Sequence, residues 1–380
     1  MRHVFIVAVE SSSEQLGAGL IQALRGIDKD IHISGVGGPS MAAQGVTSHV
    51  DITGLGILGF TEAIKMYSLV LRCVKETVAH IMASGPDAVV LIDSWGFMIR
   101  VSQRLKRAGY KGKIIKYVAP QVWAMREGRA KTLAASTDHL LSIHSFDAPY
   151  FEKHNLQVTH VGNPMFDTDY SSGNAAALRR DLGAEANSRI CAVFFGSRLS
   201  EFNQLQAPIL EAVSQLSLRY PDLKFVSPIS AALWDSVYGA LKDMPQITLL
   251  KEDRKFDVFA GADIAIACSG TITTQLASAG VPCVVGYRLK PLTWLAAKWL
   301  YKPDYISLIN ISAGKDLMAE CLQNEATGEN FTREVARFLD DEALRLTRSE
   351  ELKAQAEIMK GKASSASECA AQKIIDLSAS

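Results

Sequence analysis

The sequence carries no excess of charge of either sign: 40 Lys+Arg stand against 40 Asp+Glu, a formal net charge of 0. Without a global basic field, bulk electrostatic binding of nucleic acid is not expected. The six cysteines, Cys73, Cys191, Cys268, Cys283, Cys321 and Cys369, form no C-x-x-C pair, and several lie in apolar runs. A thiol there acts as a small hydrophobe, which argues against a disulfide framework and for a reducing, cytoplasmic setting. The eight histidines show no H-E-x-x-H or related spacing, so neither metal nor cofactor is expected. No apolar stretch is long enough for a membrane span. The opening MRHVFIVAVE reads as a first buried strand rather than a signal segment.

What is present is an ordinary globular composition, 48% hydrophobic and 21% charged, over 380 residues. That length predicts two domains. Strand and helix patterns alternate throughout, which implies parallel sheets with crossover helices, an α/β fold. In the first half, strands are expected at 3–9, 31–37, 87–93 and 113–120, with further strand patterns in DHLLSIHSF and QVTHVGNP. A helical run is expected from about Ile64 to Met82, and an amphipathic helix at 98–109 closed by Gly109. In the second half, strands are expected at 190–195, 223–227, 246–250, 263–267 and 282–286. The domains are placed at 1–166 and 188–345. A Ser/Gly/Asn/Ala-rich linker separates them, and a helix over 350–377 returns to the first domain.

Ligands of open α/β sheets bind beyond the carboxyl ends of the strands, so the strand ends carry the candidate chemistry. Ser269-Gly270-Thr271 opens a helix after an apolar run and offers unpaired backbone N–H groups to an anion, with Gln275 one turn further in. Gly196-Ser197-Arg198 follows a second apolar run and adds a guanidinium. The plain reading of Arg198 is an exposed cation paired with Glu201. Two such turns together predict a diphosphate held by backbone amides and an arginine, hence a nucleotide-sugar enzyme. Asp93 ends a strongly apolar strand beside Trp95 and Phe97, a setting that suits a general base; its plain reading is a helix cap. Glu10 begins the loop after the first strand, either as a cap or against ligand. No G-x-G-x-x-G fingerprint stands there.

Some motifs weigh less. Gly37-Gly38-Pro39 is explained by turn chemistry alone. Trp123, Arg126 and Arg129 can serve an anionic ligand or only a helix surface. Asp167-Thr168-Asp169, formally D-x-D, reads as a solvated turn. The segment 291–303, with Trp294, Trp299, Tyr301, Lys298 and Lys302, is either a core helix or one that lies at a membrane interface.

Taken in order over nearly the full length, the segments LGAGLIQAL, GVGGPSMAAQG, ILGFTEAI, IDSWGF, KYVAPQVWAMREGR, DHLLSIHSFDAPYF, THVGNPMFD, GSRLSE, CSGTITTQLASAGVPCVVGYRLKPLTW and KPDYISLINISAG resemble the lipid-A-disaccharide synthases. The resemblance implies a GT-B glycosyltransferase: two Rossmann-like domains with a cleft between them, the first for the acceptor and the second for the UDP-sugar. It implies inverting transfer of a diacylated glucosamine from UDP to the 6-hydroxyl of diacylglucosamine 1-phosphate, without metal, by a peripheral protein of the inner membrane. A homodimer is left open. Glu10, Asp93, Arg198, Gly270, Thr271 and Asn310 match motif positions of that family. Asp93 and Glu10 are then the catalytic candidates; Ser197, Arg198, Ser269, Gly270, Thr271, Gln275 and Asn310 are the UDP-binding ones. Several loops depart from the family pattern: Val9-Glu10-Ser11-Ser12-Ser13-Glu14 for Gly-Glu-x-Ser-Gly-Asp, Ser94-Trp95-Gly96-Phe97-Met98 for Ala-Pro-Asp-Phe-Asn, and Gln275 for Glu. These departures leave open a diverged paralogue with another UDP-sugar or acceptor, a nucleotide-sugar epimerase, or a non-catalytic binding protein.

Overall fold

The computed structural model describes residues 1–52, 63–185, 187–242 and 244–379. The chain divides into two compact units, Met1–Asp167 with Lys360–Ser380, and Thr168–Met359. Each is built on a six-stranded, wholly parallel sheet.

In the first unit, the strands are β1 His3–Val7, β2 His32–Val36, β3 Ala88–Ile92, β4 Lys113–Tyr117, β5 His139–Ser142 and β6 Gln157–His160, in the order β2-β1-β3-β4-β5-β6. Alternate residues of β1 serve opposite faces, as the two-residue period of a strand requires. Val4 and Ile6 join a core under helices Ser11–Ile27 and Ala366–Ser378, through Leu20, Leu24, Ala370 and Ile374. Phe5 and Val7 join the core under helices Ala63–Ser84 and Trp95–Arg107, through Val74, Ile81, Met98 and Leu105. Burial on both faces is why β3 reads as the unbroken apolar run AVVLI.

In the second unit, the strands are β7 Ile190–Phe194, β8 Lys224–Ile229, β9 Ile247–Lys251, β10 Ile264–Cys268, β11 Cys283–Tyr287 and β12 Ala319–Leu322, in the order β12-β11-β10-β7-β8-β9. In each sheet the chain reverses its direction of progress once. In the first sheet this happens between β1 and β3, in the second between β7 and β10. Neighbouring connections leave for opposite faces at such a switch point and open a crevice beyond the strand ends.

Three details differ from the sequence reading. The stretch expected as a linker is part of the second unit from Thr168 onward: Tyr170 stacks on Phe256 with ring centroids 5.7 Å apart, and helix Ala175–Asp181 starts at an Asn174 cap. β12 was not anticipated, because four residues with a glutamate among them carry no strand period. The tail is two helices, Glu342–Lys360 and Ala366–Ser378, and only the second belongs to the first unit. The break falls at Gly361, in the left-handed region at φ 88°, where the chain passes so close to Gly162 that a Cβ on Gly162 would strike the Lys360 carbonyl. The ILGFTEAI segment lies outside the described residues except for its last two.

One buried group gives a stability test. The Asp147 carboxyl is buried after β5; one oxygen accepts from Ser142 Oγ, and the other has no hydrogen-bond partner among the described residues. Burial pushes its pKa up to about 7. The folded state therefore holds a proton that the unfolded chain has released, and stability declines as pH rises from about 4 to about 7. Asp147→Asn is expected to gain stability relative to the parent over that window, by about 1–4 kcal/mol at pH 8, since every tenfold change in proton affinity corresponds to about 1.4 kcal/mol. Thermal melts at pH 5 and pH 8 measure it. A difference between the two proteins that does not change with pH would contradict the assignment.

Candidate active site

Glu10 and Asp93 follow β1 and β3, the strands flanking the switch point of the first sheet. Glu10 precedes helix Ser11–Ile27, where its backbone N–H donates to Ser13 Oγ (3.0 Å). Its carboxylate accepts a hydrogen bond from Ser94 Oγ at 2.7 Å, so the two loops are tied together. Asp93 and Ser94 both adopt positive φ, 50° and 37°, a left-handed turn that is uncommon in non-glycine residues. The turn ends β3 abruptly and starts helix Trp95–Arg107 one residue later. The Arg129 guanidinium lies 5.2 Å from the centre of the Trp95 ring, which places a cation beside this loop.

In the second unit, the two anticipated turns line one cavity of about 380 Å³. Gly196, Ser197 and Arg198 enter it from the end of β7, and Ser269, Gly270, Thr271 and Gln275 from the end of β10 and helix Thr271–Ala279. Gly270 occupies the N-cap and has no side chain to satisfy the first-turn N–H groups, which keeps the helix terminus available to an anion. Arg198 is paired with Glu201 at 2.8 Å, as its plain reading required, and its side chain is 76% exposed. Glu201 also accepts from the backbone N–H of Ser197 (2.9 Å) and Arg198 (3.2 Å), so a carboxylate already sits against this turn. An exposed pair of this kind contributes about 0–1 kcal/mol, so the guanidinium can turn to a more highly charged ligand at little cost. Gly196 takes φ 103°, and a Cβ there would run into Glu201.

Asn310 does not join these residues. It is fully buried; its side-chain oxygen accepts from the N–H groups of Leu317 and Met318 (both 2.9 Å), and its amide donates to Met318 O and Glu320. All of this capacity goes to pinning helix Leu308–Ala313 to β12, so Asn310 acts on the scaffold and offers no side-chain atom to a ligand. Asp167 accepts from the Ala366 N–H (3.1 Å), a tie to the start of the last helix, while Asp169 accepts from the nearby Ser171. Among the described residues no three His, Cys, Asp or Glu side chains are grouped to hold a metal ion.

Three residues escaped the sequence reading. Ser230 and Lys255 also line the cavity of the second unit, from beyond β8 and β9. The charged run Lys251-Glu252-Asp253-Arg254-Lys255 at a strand end was the only signal for Lys255. Lys116, within β4, is buried behind the Asp93 turn; a lysine inside an apolar parallel strand was the signal for it.

The profile of the family described as lipid-A-disaccharide synthetase matches residues 4–374. The lipid-A-disaccharide synthase of Rhodospirillum centenum is 36% identical over 345 residues, covering 90% of this chain and 86% of its own. That of Paramagnetospirillum magneticum is 36% identical over 347 residues, covering 90% and 89%. Among solved structures, MurG of Acinetobacter baumannii aligns at TM-score 0.62 and 15% identity, covering 99% of this chain and 100% of its own. The UDP-GlcNAc 2-epimerase of Neisseria meningitidis bound to UDP-GlcNAc aligns at 0.61 and 11%, covering 99% and 98%. Two Rossmann-like units, each with one switch point in its sheet, are the GT-B architecture, as the resemblance implied. Within that class the chain belongs to the lipid-A-disaccharide synthase family and is a hexosyltransferase of lipid A biosynthesis.

Proposed function

We propose that the enzyme joins two acylated glucosamines by inverting transfer, with UDP-2,3-diacylglucosamine as donor and 2,3-diacylglucosamine 1-phosphate as acceptor. Family membership over residues 4–374 carries this reading. The cavity that gathers Arg198 with the Ser269–Thr271 turn supports a nucleotide diphosphate as its occupant. Asp93 accepts the proton of the acceptor 6-hydroxyl. The freed oxygen attacks C1 of the donor sugar, and the C1–O bond to the diphosphate breaks with its electron pair passing to the leaving oxygen. Arg198 and the amides at Gly270 and Thr271 stabilise that charge, a role typically worth about 2–4 kcal/mol of barrier per donor, and Ser197 lines the same turn. Ser269 and Gln275 shape the nucleotide side of the cavity. Glu10 holds Ser94 and with it the turn that carries the base. Mixing the two lipids with the enzyme should yield one disaccharide per UDP released. UDP binding without any product would leave a binding protein, and conversion of UDP-GlcNAc to its 2-epimer would leave an epimerase.

Acylated substrates partition into a bilayer, and helix Pro291–Leu300 supports docking of the protein at the inner-membrane surface. No described helix is long and apolar enough to cross a membrane. On this one, Trp299 is 89% exposed and Leu295 and Leu300 are exposed with it, the arrangement of an interfacial helix. Trp299→Glu is expected to reduce co-sedimentation with anionic phospholipid vesicles at least fivefold while UDP affinity stays unchanged. Equal sedimentation of both proteins would remove this helix from the membrane contact.

A further inference from the structure

Lys116 is 2% exposed, in the middle of a sheet whose neighbouring strand is wholly apolar. A lysine ammonium has three donors, and here each has found a carbonyl: Asp93 O at 2.6 Å, Tyr117 O at 3.1 Å and Leu91 O at 3.3 Å. Two of these carbonyls belong to the end of β3 and the turn after it. That turn is where Asp93 and Ser94 both stand at positive φ, a strained conformation for non-glycine residues that persists only where its surroundings over-determine it. Its other ties include the Asp93 N–H to Tyr117 O (2.9 Å), Ser94 Oγ to Glu10 (2.7 Å), and the Ser94 carbonyl, which accepts from the Phe97 and Met98 N–H groups (3.0 and 3.1 Å). Burial pulls the Lys116 pKa down to about 7, against the opposite pull of the Asp93 and Glu10 carboxylates, so the ammonium is close enough to both to feel their charge.

A buried lysine costs folding free energy unless it is well paired, and an apolar residue would pack in β4 as its neighbours do. The shortest of its three bonds, at 2.6 Å, goes to the strained turn, and the other two go to the ends of β3 and β4. We infer that Lys116 is a positioning residue for the transfer reaction: its ammonium, bonded to the Asp93 carbonyl, locks the left-handed Asp93–Ser94 turn so that the Asp93 carboxylate points at the acceptor hydroxyl. The inference rests on Asp93 as the base. It assigns Lys116 no contact with substrate, so Lys116 acts through orientation, where displacement by about 1 Å can cost a hundredfold in rate.

The test compares the full-length enzyme with Lys116→Met, Asp93→Asn and the double variant, using the two acylated substrates. Lys116→Met is expected to lower kcat tenfold or more, with KM for the acceptor within threefold and UDP affinity unchanged. In the Asp93→Asn background the same substitution should change kcat less than twofold, because a residue that works through Asp93 has nothing left to orient. A kcat reduction of less than tenfold, a change confined to KM, or an undiminished further loss in the double variant overturns the inference. If Lys116→Met does not fold, Lys116→Gln is read by the same criteria; if neither folds, the lysine serves stability and the inference fails. Full turnover in Asp93→Asn would instead remove the base assignment. A normal kcat in Lys116→Met beside an inactive Asp93→Asn removes only the role of the lysine.

Discussion

Asp93→Asn is expected to lower transfer by about a hundred- to ten-thousand-fold, the range for loss of a general base, and to leave the dissociation constant of UDP unchanged. The amide has nearly the volume of the carboxylate, so packing of the turn is kept, and the Lys116 bond to the Asp93 backbone carbonyl does not involve the side chain at all. What is lost is the capacity to accept a proton. UDP affinity is insulated because Asp93 belongs to the first compact unit, while Arg198 and the Ser269–Thr271 turn belong to the second. Steady-state kinetics and UDP titration calorimetry on the same preparation separate the two effects. Turnover that survives intact removes Asp93 as the base. A matching loss of UDP affinity would point to a wider disturbance than the chemistry requires.

Arg198→Ala is expected to weaken UDP binding by about 1.5–3 kcal/mol, the range for hydrogen bonds to charged groups, or roughly ten- to a hundredfold in dissociation constant. The melting temperature should move little. The Arg198–Glu201 pair is exposed and worth about 1 kcal/mol or less, and Glu201 keeps its bonds to the Ser197 and Arg198 backbone N–H groups when the guanidinium is gone. Calorimetric titration with UDP measures the effect directly. An unchanged dissociation constant would leave Arg198 as the exposed partner of Glu201 and nothing more.

The sequence disclosed the loops better than it disclosed what holds them. Gly196-Ser197-Arg198 and Ser269-Gly270-Thr271 each combine an apolar run with residues that permit a tight turn, and both signals are local. Their meeting in one cavity follows from strand order, since β7 and β10 are neighbours across a switch point. Alternation of strands and helices predicts such a sheet without stating which strands adjoin. Asn310 shows the reverse case. Its motif position pointed to ligand, yet its four hydrogen bonds to Leu317, Met318 and Glu320 depend on β12, a strand too short and too polar to carry a period. Lys116 was passed over because a strand pattern such as KIIKY tolerates lysine at an end or an edge, and only the register with β3 reveals that this one is enclosed. Side chains whose role is set by long-range packing leave almost no local trace, whereas residues that shape a turn at a strand end do.

The most direct measurement is an NMR analysis of the product formed from UDP-2,3-diacylglucosamine and 2,3-diacylglucosamine 1-phosphate. Inverting transfer to the 6-hydroxyl predicts one new β-anomeric signal, a correlation from that proton to C6 of the phosphorylated sugar, and one equivalent of UDP released. An α-anomeric product, linkage at another hydroxyl, or UDP bound with no disaccharide formed would contradict it.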